Sequence, residues 1–168
     1  MKKQELANWL CRYRLSKYHQ DIEPYRGRED EFHRLFTPYE VIEGEGNCLL
    51  NTGIDEIWDL VTGASANHYD NTNARIGVGD SNTAANATQT DLQAATNKTY
   101  KGMETGYPTS TSQKVTFKAS FGSTEANYAW EEWVVKHSTS AICLNRKVES
   151  LGTKSTGTWT LEVQISLS

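Results

Sequence analysis

The chain has 168 residues, a formal net charge of −4 and a mean hydropathy of −0.64, and 37% of its residues are hydrophobic. A body of this size buries roughly two thirds of its unfolded surface, so it needs neither disulfides nor a metal to fold. The acidic balance gives no reason to expect direct nucleic-acid binding, and no apolar run has the length that would cross a membrane.

The three cysteines, Cys11, Cys48 and Cys143, are widely spaced along the chain and form no CxxC pair. Their odd number and their spacing argue against a disulfide framework and against a structural zinc site. We therefore expect reduced, mostly buried thiols in a protein that is made and folded in a cytosol.

The first 46 residues differ from the rest because charged residues crowd them and prolines interrupt them. Within them, apolar residues occupy i, i+3, i+4 and i+7, the spacing of one helix face: Leu6, Trp9, Leu10 and Tyr13. This spacing predicts a short amphipathic helix from Lys3 to Lys17. Its stripe either packs on the chain's own body or belongs to an arm that contacts a neighbouring subunit. The irregular connector from Asp21 to Tyr39 favours the arm.

A second helix is predicted to begin near Asn51, where Asn51 or Thr52 can cap it, and to end at Gly63. Apolar residues repeat within it at helical spacing: Ile54, Ile57, Trp58 and Val61. We expect this helix to lie against the sheet.

The segment from Ala64 to Met103 is rich in Asn, Thr, Ala, Ser and Gly, with few apolar residues. Residues 75–80 are typical of a short strand that runs into a turn, and residues 91–95 of a brief helix or turn. We expect this backbone to fold on itself or on a neighbour.

The C-terminal third carries the clearest strand patterns. Apolar and polar residues alternate from Val115 to Phe121 and from Trp159 to Leu167, which is typical of half-buried strands. Aromatic and β-branched residues predict further strands at 128–135 and 141–148. The loop at 122–127 has the length that joins antiparallel neighbours, so we predict a hairpin around it.

The strands follow one another with little helix between them, which indicates a mainly β fold. We predict an antiparallel β-sandwich or jelly-roll-like body. One packed helix and an extended, partly helical N-terminal arm complete the predicted fold.

Trp130 and Trp133 are three residues apart, so strict alternation would place them on opposite faces of a strand. A β-bulge at Glu131-Glu132 would bring both of them, with Val135, to one side. Alternatively, both faces of the sheet are covered. The two tryptophans are candidate core residues or candidate surface and subunit-interface anchors.

Glu131 and Glu132 are paired carboxylates between two tryptophans, superficially like a glycosidase site or a sugar-contacting surface. Because neighbours in a strand point to opposite faces, a structural role is the favoured interpretation. Cys143 falls in an apolar predicted strand, where a packed thiol is favoured over a nucleophile assisted by His137.

Two loop motifs also fall short of a binding site. His68–Asn73 combines imidazole, carboxylate and amide groups, but it lacks the ligand offsets, the glycine and the closing glutamate of a calcium loop. Gly77-Val78-Gly79 lacks the third glycine and the following helix of a phosphate-binding loop. We predict a non-enzymatic protein with no cofactor and no metal.

A succession of short motifs runs through residues 48–168: Asn51–Gly53, Ile57–Trp58, Thr62–Gly63, Ile76–Ser81, Thr90–Gln93, Val115–Phe121, Glu125–Asn127, Trp130–Glu132, Leu144–Arg146 and Leu151–Lys154. This succession resembles virion proteins of tailed bacteriophages, in particular head decoration (cement) proteins and tail-associated subunits.

The resemblance implies a β-rich homotrimer that sits at local three-fold positions of the capsid lattice and reinforces the shell against internal DNA pressure. It implies the major capsid protein as partner. It also implies contacts with neighbouring decoration subunits through an arm, residues 1–46, that extends from a body of residues 47–168. The expected location is the capsid exterior of the virion, after assembly in the host cytoplasm.

Two alternatives remain open at this point. One is a tail, collar or fibre-attachment subunit. The other is a carbohydrate-binding module built on Trp130 and Trp133.

Overall fold

The computed structural model of the chain describes residues 8–46 and 48–167. This part is mainly β. Its strands are β1 (Trp9–Tyr18), β2 (Glu40–Glu45), β3 (Cys48–Leu49), β4 (Ala74–Gly79), β5 (Lys98–Gly102), β6 (Thr109–Thr111), β7 (Lys114–Phe121), β8 (Ala129–His137), β9 (Cys143–Thr153) and β10 (Thr158–Leu167). Its α-helices are α1 (Glu29–Leu35) and α2 (Asn51–Thr62), and a 3₁₀ turn at Glu23–Tyr25 precedes α1.

The strands form two antiparallel sheets of five strands each. The first sheet has the order β2-β1-β10-β7-β6, and the second has the order β3-β9-β8-β4-β5. One buried cluster draws side chains from both sheets, among them Tyr13, Leu15, Phe117 and Leu161 from the first and Ile76, Val78, Trp133 and Val135 from the second. Two antiparallel sheets around a shared core are consistent with a β-sandwich. The prediction of a mainly β, antiparallel body is confirmed at that level.

The helix predicted from Lys3 to Lys17 is wrong in the described part, because Trp9–Tyr18 is strand β1. β1 lies inside the first sheet, between β2 and β10. Cys11, Tyr13 and Leu15 are buried, and the arginines between them are exposed, so a period of two governs this segment. The physical reason is long-range pairing, because β1 supplies the ladder hydrogen bonds along one whole side of β10.

β7 and β8 are strands as predicted, but the hairpin predicted between them is wrong. β7 pairs with β10 and β6 in the first sheet, whereas β8 pairs with β9 and β4 in the second. The connection therefore crosses from one sheet to the other, and the rings of Phe121 and Trp130 lie 4.8 Å apart across the core. β7 and β8 each have an apolar face. In opposite sheets the two strands bury these faces against each other, whereas pairing side by side in one sheet would not cover them.

The sequence left open either a β-bulge at Glu131-Glu132 or a sheet covered on both faces, and the pairing of β8 is irregular at this point. The register of β8 against β9 shifts between Trp130 and Glu132. As a result Trp130, Trp133 and Val135 all enter the core between the sheets.

The outer face of the second sheet is covered by the segment between β4 and β5, residues 80–97. Four buried side chains form a small apolar cluster there: Leu50, Leu92, Val134 and Cys143. The backbone N–H groups of Gln93 and Ala94 donate to the Glu132 carboxylate at 2.7–3.0 Å. The Asn- and Thr-rich segment therefore folds on the sheet.

A buried lysine forms hydrogen bonds to the connection between β7 and β8. Lys154 is 1% exposed, and its Nζ donates to the Gly122 carbonyl at 2.6 Å and to Asn127 Oδ1 at 2.9 Å. Burial lowers the pKa of Lys154 to about 8, although the nearby carboxylates of Glu125 and Asp21 act in the opposite direction.

We expect the wild-type protein to gain stability relative to a Lys154→Met variant as the pH rises from 7 to 9.5. The folded-state pKa lies below the unfolded value of about 10.4, so unfolding takes up a proton in this window and becomes less favourable at higher pH. The expected gain is about 2 kcal/mol. Urea denaturation of both proteins at the two pH values measures it, and a difference that stays constant would contradict the assignment.

Candidate protein-interaction surface

The residues of the predicted arm stripe do not share one face in the described part. Leu6 lies outside the described residues, and Trp9 and Leu10 are half-buried in β1. Tyr13 is buried and packs against Trp133, with ring centroids 5.7 Å apart. Leu10 and Tyr13 are three positions apart in a strand and so occupy opposite faces.

Trp130 and Trp133 are core residues, each 0% exposed. The Trp130 ring meets the Phe121 and Trp159 rings edge-on, and its Nε1 donates to the Ala126 carbonyl at 3.0 Å. The adjacent Glu132 is equally buried. These side chains therefore do not present a sugar-stacking surface.

The loop and cysteine residues considered as candidate sites have contacts that are typical of a turn and of the protein core. The Asp70 carboxylate accepts the backbone N–H groups of Thr72 at 3.1 Å and Asn73 at 2.9 Å, which is the geometry of a turn. Cys11 and Cys143 are free and buried, and burial raises the pKa of Cys11 to about 12 and that of Cys143 further. Within residues 8–46 and 48–167, no group of three or more His, Cys, Asp or Glu residues is placed to hold a metal ion.

Two depressions on the outer face of the first sheet, of about 550 and 340 Å³, are lined by charges that compensate one another. Arg14 lies 3.1 Å from Glu43, and Glu162 lies opposite both Arg14 and Lys118 in the strand register. At the edge of the smaller depression, His33 Nε2 lies 2.9 Å from a carboxylate oxygen of the buried Glu104. Alternating charges of this kind are typical of a solvated sheet face.

Helix α2 begins and ends as predicted, but it presents a different face to the sheet. Gly63 ends it in the left-handed conformation, with φ of 74°. The cap predicted at Asn51 or Thr52 is wrong, because Leu50 stands at the N-cap and no side chain of the described residues caps the helix there. Gly53 and Glu56 form the buried side, whereas Ile54, Trp58 and Val61 are 37%, 62% and 70% exposed. The expectation that the apolar repeat packs on the sheet is wrong for these three side chains.

The orientation of α2 follows from Gly53. A Cβ built at this position would lie 2.6 Å from the Leu144 Cα, so only glycine allows the helix to approach β9 this closely. The Leu50 N–H donates to the Leu144 carbonyl at 3.1 Å, and Ser65 Oγ donates to Glu56 Oε1 at 2.5 Å. The sequence carries this signal, because Gly53, Ile57 and Leu60 also repeat at helical spacing.

We name Ile54, Trp58 and Val61 the α2 stripe. They stand at i, i+4 and i+7 and therefore lie along one side of the helix. Asp55 and Asp59 are exposed beside them, and neither carboxylate forms an ion pair with another described residue. The α2 stripe is an apolar surface with an acidic margin. It is the candidate functional site.

Comparisons of the chain with protein-family models, with curated proteins and with solved structures each find no match. Among the described residues, no helix is both long enough and apolar enough to span a membrane.

Proposed function

We propose that the protein is a non-enzymatic virion structural subunit, a capsid decoration protein that binds and stabilises the assembled head of a tailed bacteriophage. The observation that carries the proposal is the α2 stripe, Ile54, Trp58 and Val61, exposed on a helix seated closely on the second sheet. Apolar area removed from water stabilises a complex by roughly 25 cal/mol per Å² before the costs of association. A partner that covers the stripe recovers this free energy.

Mass action explains how such a subunit reinforces a shell. A protein that binds the assembled lattice and not its dissociated parts adds binding free energy at each site, about 2.7 kcal/mol when its free concentration is 100 times Kd. Repeated over a lattice, this contribution opposes rupture.

The resemblance of residues 48–168 to phage virion proteins supports the rest of the proposal. The major capsid protein is the proposed partner, and a homotrimer on the capsid exterior is the proposed assembly. Contacts between neighbouring decoration subunits through the N-terminal region, and a jelly-roll-like body, belong to the same proposal.

We expect the purified protein to co-sediment saturably with heads that lack it, prepared from the phage whose genome encodes the chain. Purified tails form the second arm of the measurement, because the tail or collar alternative predicts binding there. Heads carrying the protein should also resist heating better than bare heads. Binding to tails alone would support the alternative, and binding to neither particle would contradict a virion role.

A further inference from the structure

The α2 stripe has the layout of a helix that is recognised in a groove. Amphipathic helices bind grooves through anchors at i, i+3 or i+4 and i+7, and Ile54, Trp58 and Val61 match that spacing. Trp58 stands between the other two and is 62% exposed. Tryptophan is enriched among residues that dominate binding free energy. Trp58 is therefore the expected central anchor.

The charged residues beside the α2 stripe indicate which charge a partner is expected to carry. Asp55 and Asp59 follow Ile54 and Trp58 by one residue each, so they lie about 100° further round the helix. The helix has no lysine, arginine or histidine. The two carboxylates stay unpaired within the described residues, and the whole chain is acidic, with a net charge of −4. Cations at the matching edge of a partner's groove complement them.

A second copy of this chain fits the α2 stripe poorly. Two α2 helices packed about a two-fold axis would bring acidic margins together, and like charges placed opposite each other disfavour association. Three side chains also expose only a few hundred Å², below the roughly 800 Å² per partner of a standard protein interface. The α2 stripe is therefore the size of one contact among several that the protein would make with a larger surface.

We infer that the α2 stripe docks into an apolar groove bordered by lysine or arginine side chains on the protein that forms the shell. This inference rests on the proposed function and names the chemistry of its binding site. Trp58 fills the groove, and Asp55 and Asp59 face its basic edge.

The test uses bare heads as the probe and the full-length chain with three sets of substitutions. Trp58→Ala is expected to weaken binding to heads by about 30-fold or more, the loss typical of a dominant anchor. Asp55→Lys combined with Asp59→Lys is expected to weaken binding by about 10-fold and to reduce its salt dependence. Leu167→Ala is the matched control, because Leu167 is a 48% exposed apolar residue on β10, outside residues 1–46 and outside α2, and the affinity of this variant should stay within twofold of wild type.

The outcomes separate this inference from the proposed function. Wild-type protein that does not bind heads contradicts both. Wild-type protein that binds heads while all variants bind equally well overturns only the inference, and so does tighter binding of the charge-reversed variant.

Two further measurements address other occupants of the stripe. Sedimentation velocity without heads would show an oligomer that Trp58→Ala dissociates if a second copy covers the stripe. In a Trp9→Phe background the remaining tryptophans other than Trp58 are buried, so acrylamide quenching reports on Trp58, and it would increase on deletion of residues 1–7 if the chain's own N-terminus covers the stripe. Either result would overturn the inference, and unchanged sedimentation and quenching support it.

Discussion

Replacing Arg146 by alanine is expected to lower the free energy of unfolding by about 3–5 kcal/mol, because it leaves the Glu132 carboxylate buried without its cation. Arg146 Nε lies 2.7 Å from Glu132 Oε2, and both side chains are 0% exposed. The guanidinium also donates to Gln89 Oε1 and to the Thr83 carbonyl, both at 2.9 Å. One substitution therefore removes the ion pair and two attachments of the segment that covers the second sheet.

Urea denaturation at pH 7 measures the loss, and hydrogen exchange locates it. The Gln93 and Ala94 amides, which donate to Glu132, should exchange faster in Arg146→Ala. Arg12→Ala is the matched control, since its ion pair with Glu45 is exposed and exposed pairs contribute at most about 1 kcal/mol. Similar losses in the two variants would contradict the role of the buried pair.

Replacing Trp130 by alanine is the second substitution expected to have a large effect, a loss of about 3–5 kcal/mol. The side chain fills the core between the sheets, with ring centroids 4.8 Å from Phe121 and 5.0 Å from Trp159. Its removal leaves a cavity beside aromatic neighbours that are themselves fixed by the two sheets. It also leaves the Ala126 carbonyl without the indole N–H.

Trp58→Ala is the matched control for Trp130→Ala, because the chemical change is identical and the side chain is exposed on α2. We expect it to change the free energy of unfolding by at most about 0.5 kcal/mol. Equal losses at the two positions would mean either that Trp130 is not a core residue or that Trp58 is buried. The pair of variants therefore separates the tryptophan that supports the fold from the one assigned to binding.

Local patterns predicted the elements of the body well. The alternation of apolar residues located β7 and β10, and helical spacing and Gly63 located α2. The three-residue separation of two tryptophans marked the place where the register of β8 shifts, with a bulge as one of two explanations. These features depend on residues that are close in sequence.

Features decided by long-range contacts were predicted poorly. Residues 9–18 carry both a helical spacing and a period of two, and only the need of β10 for an antiparallel neighbour decides between them. Likewise, the loop at 122–128 has the length of a hairpin, and the placing of β7 and β8 in different sheets depends on which partners each strand finds.

The candidate site on α2 was not predicted as a site. Ile54, Trp58 and Val61 were recognised as an apolar repeat and were expected to be buried. Which side of an amphipathic helix meets the sheet depends on how closely the two backbones approach. Gly53 permits that approach on the neighbouring side of α2, and this leaves the repeat in water.

The most direct test of the proposed function is photo-crosslinking from position 58 in intact particles. The chain carries a photoreactive amino acid in place of Trp58, and a second preparation carries it in place of Leu167, an exposed residue outside α2 and outside residues 1–46, as a control. After irradiation of purified virions, mass spectrometry identifies the crosslinked protein. We predict crosslinks to the major capsid protein from position 58 and none to that protein from position 167. Crosslinks from position 58 to a tail protein would contradict the proposed function, whereas crosslinks to another copy of this chain, or no crosslink at all, would contradict the assignment of the α2 stripe to the capsid.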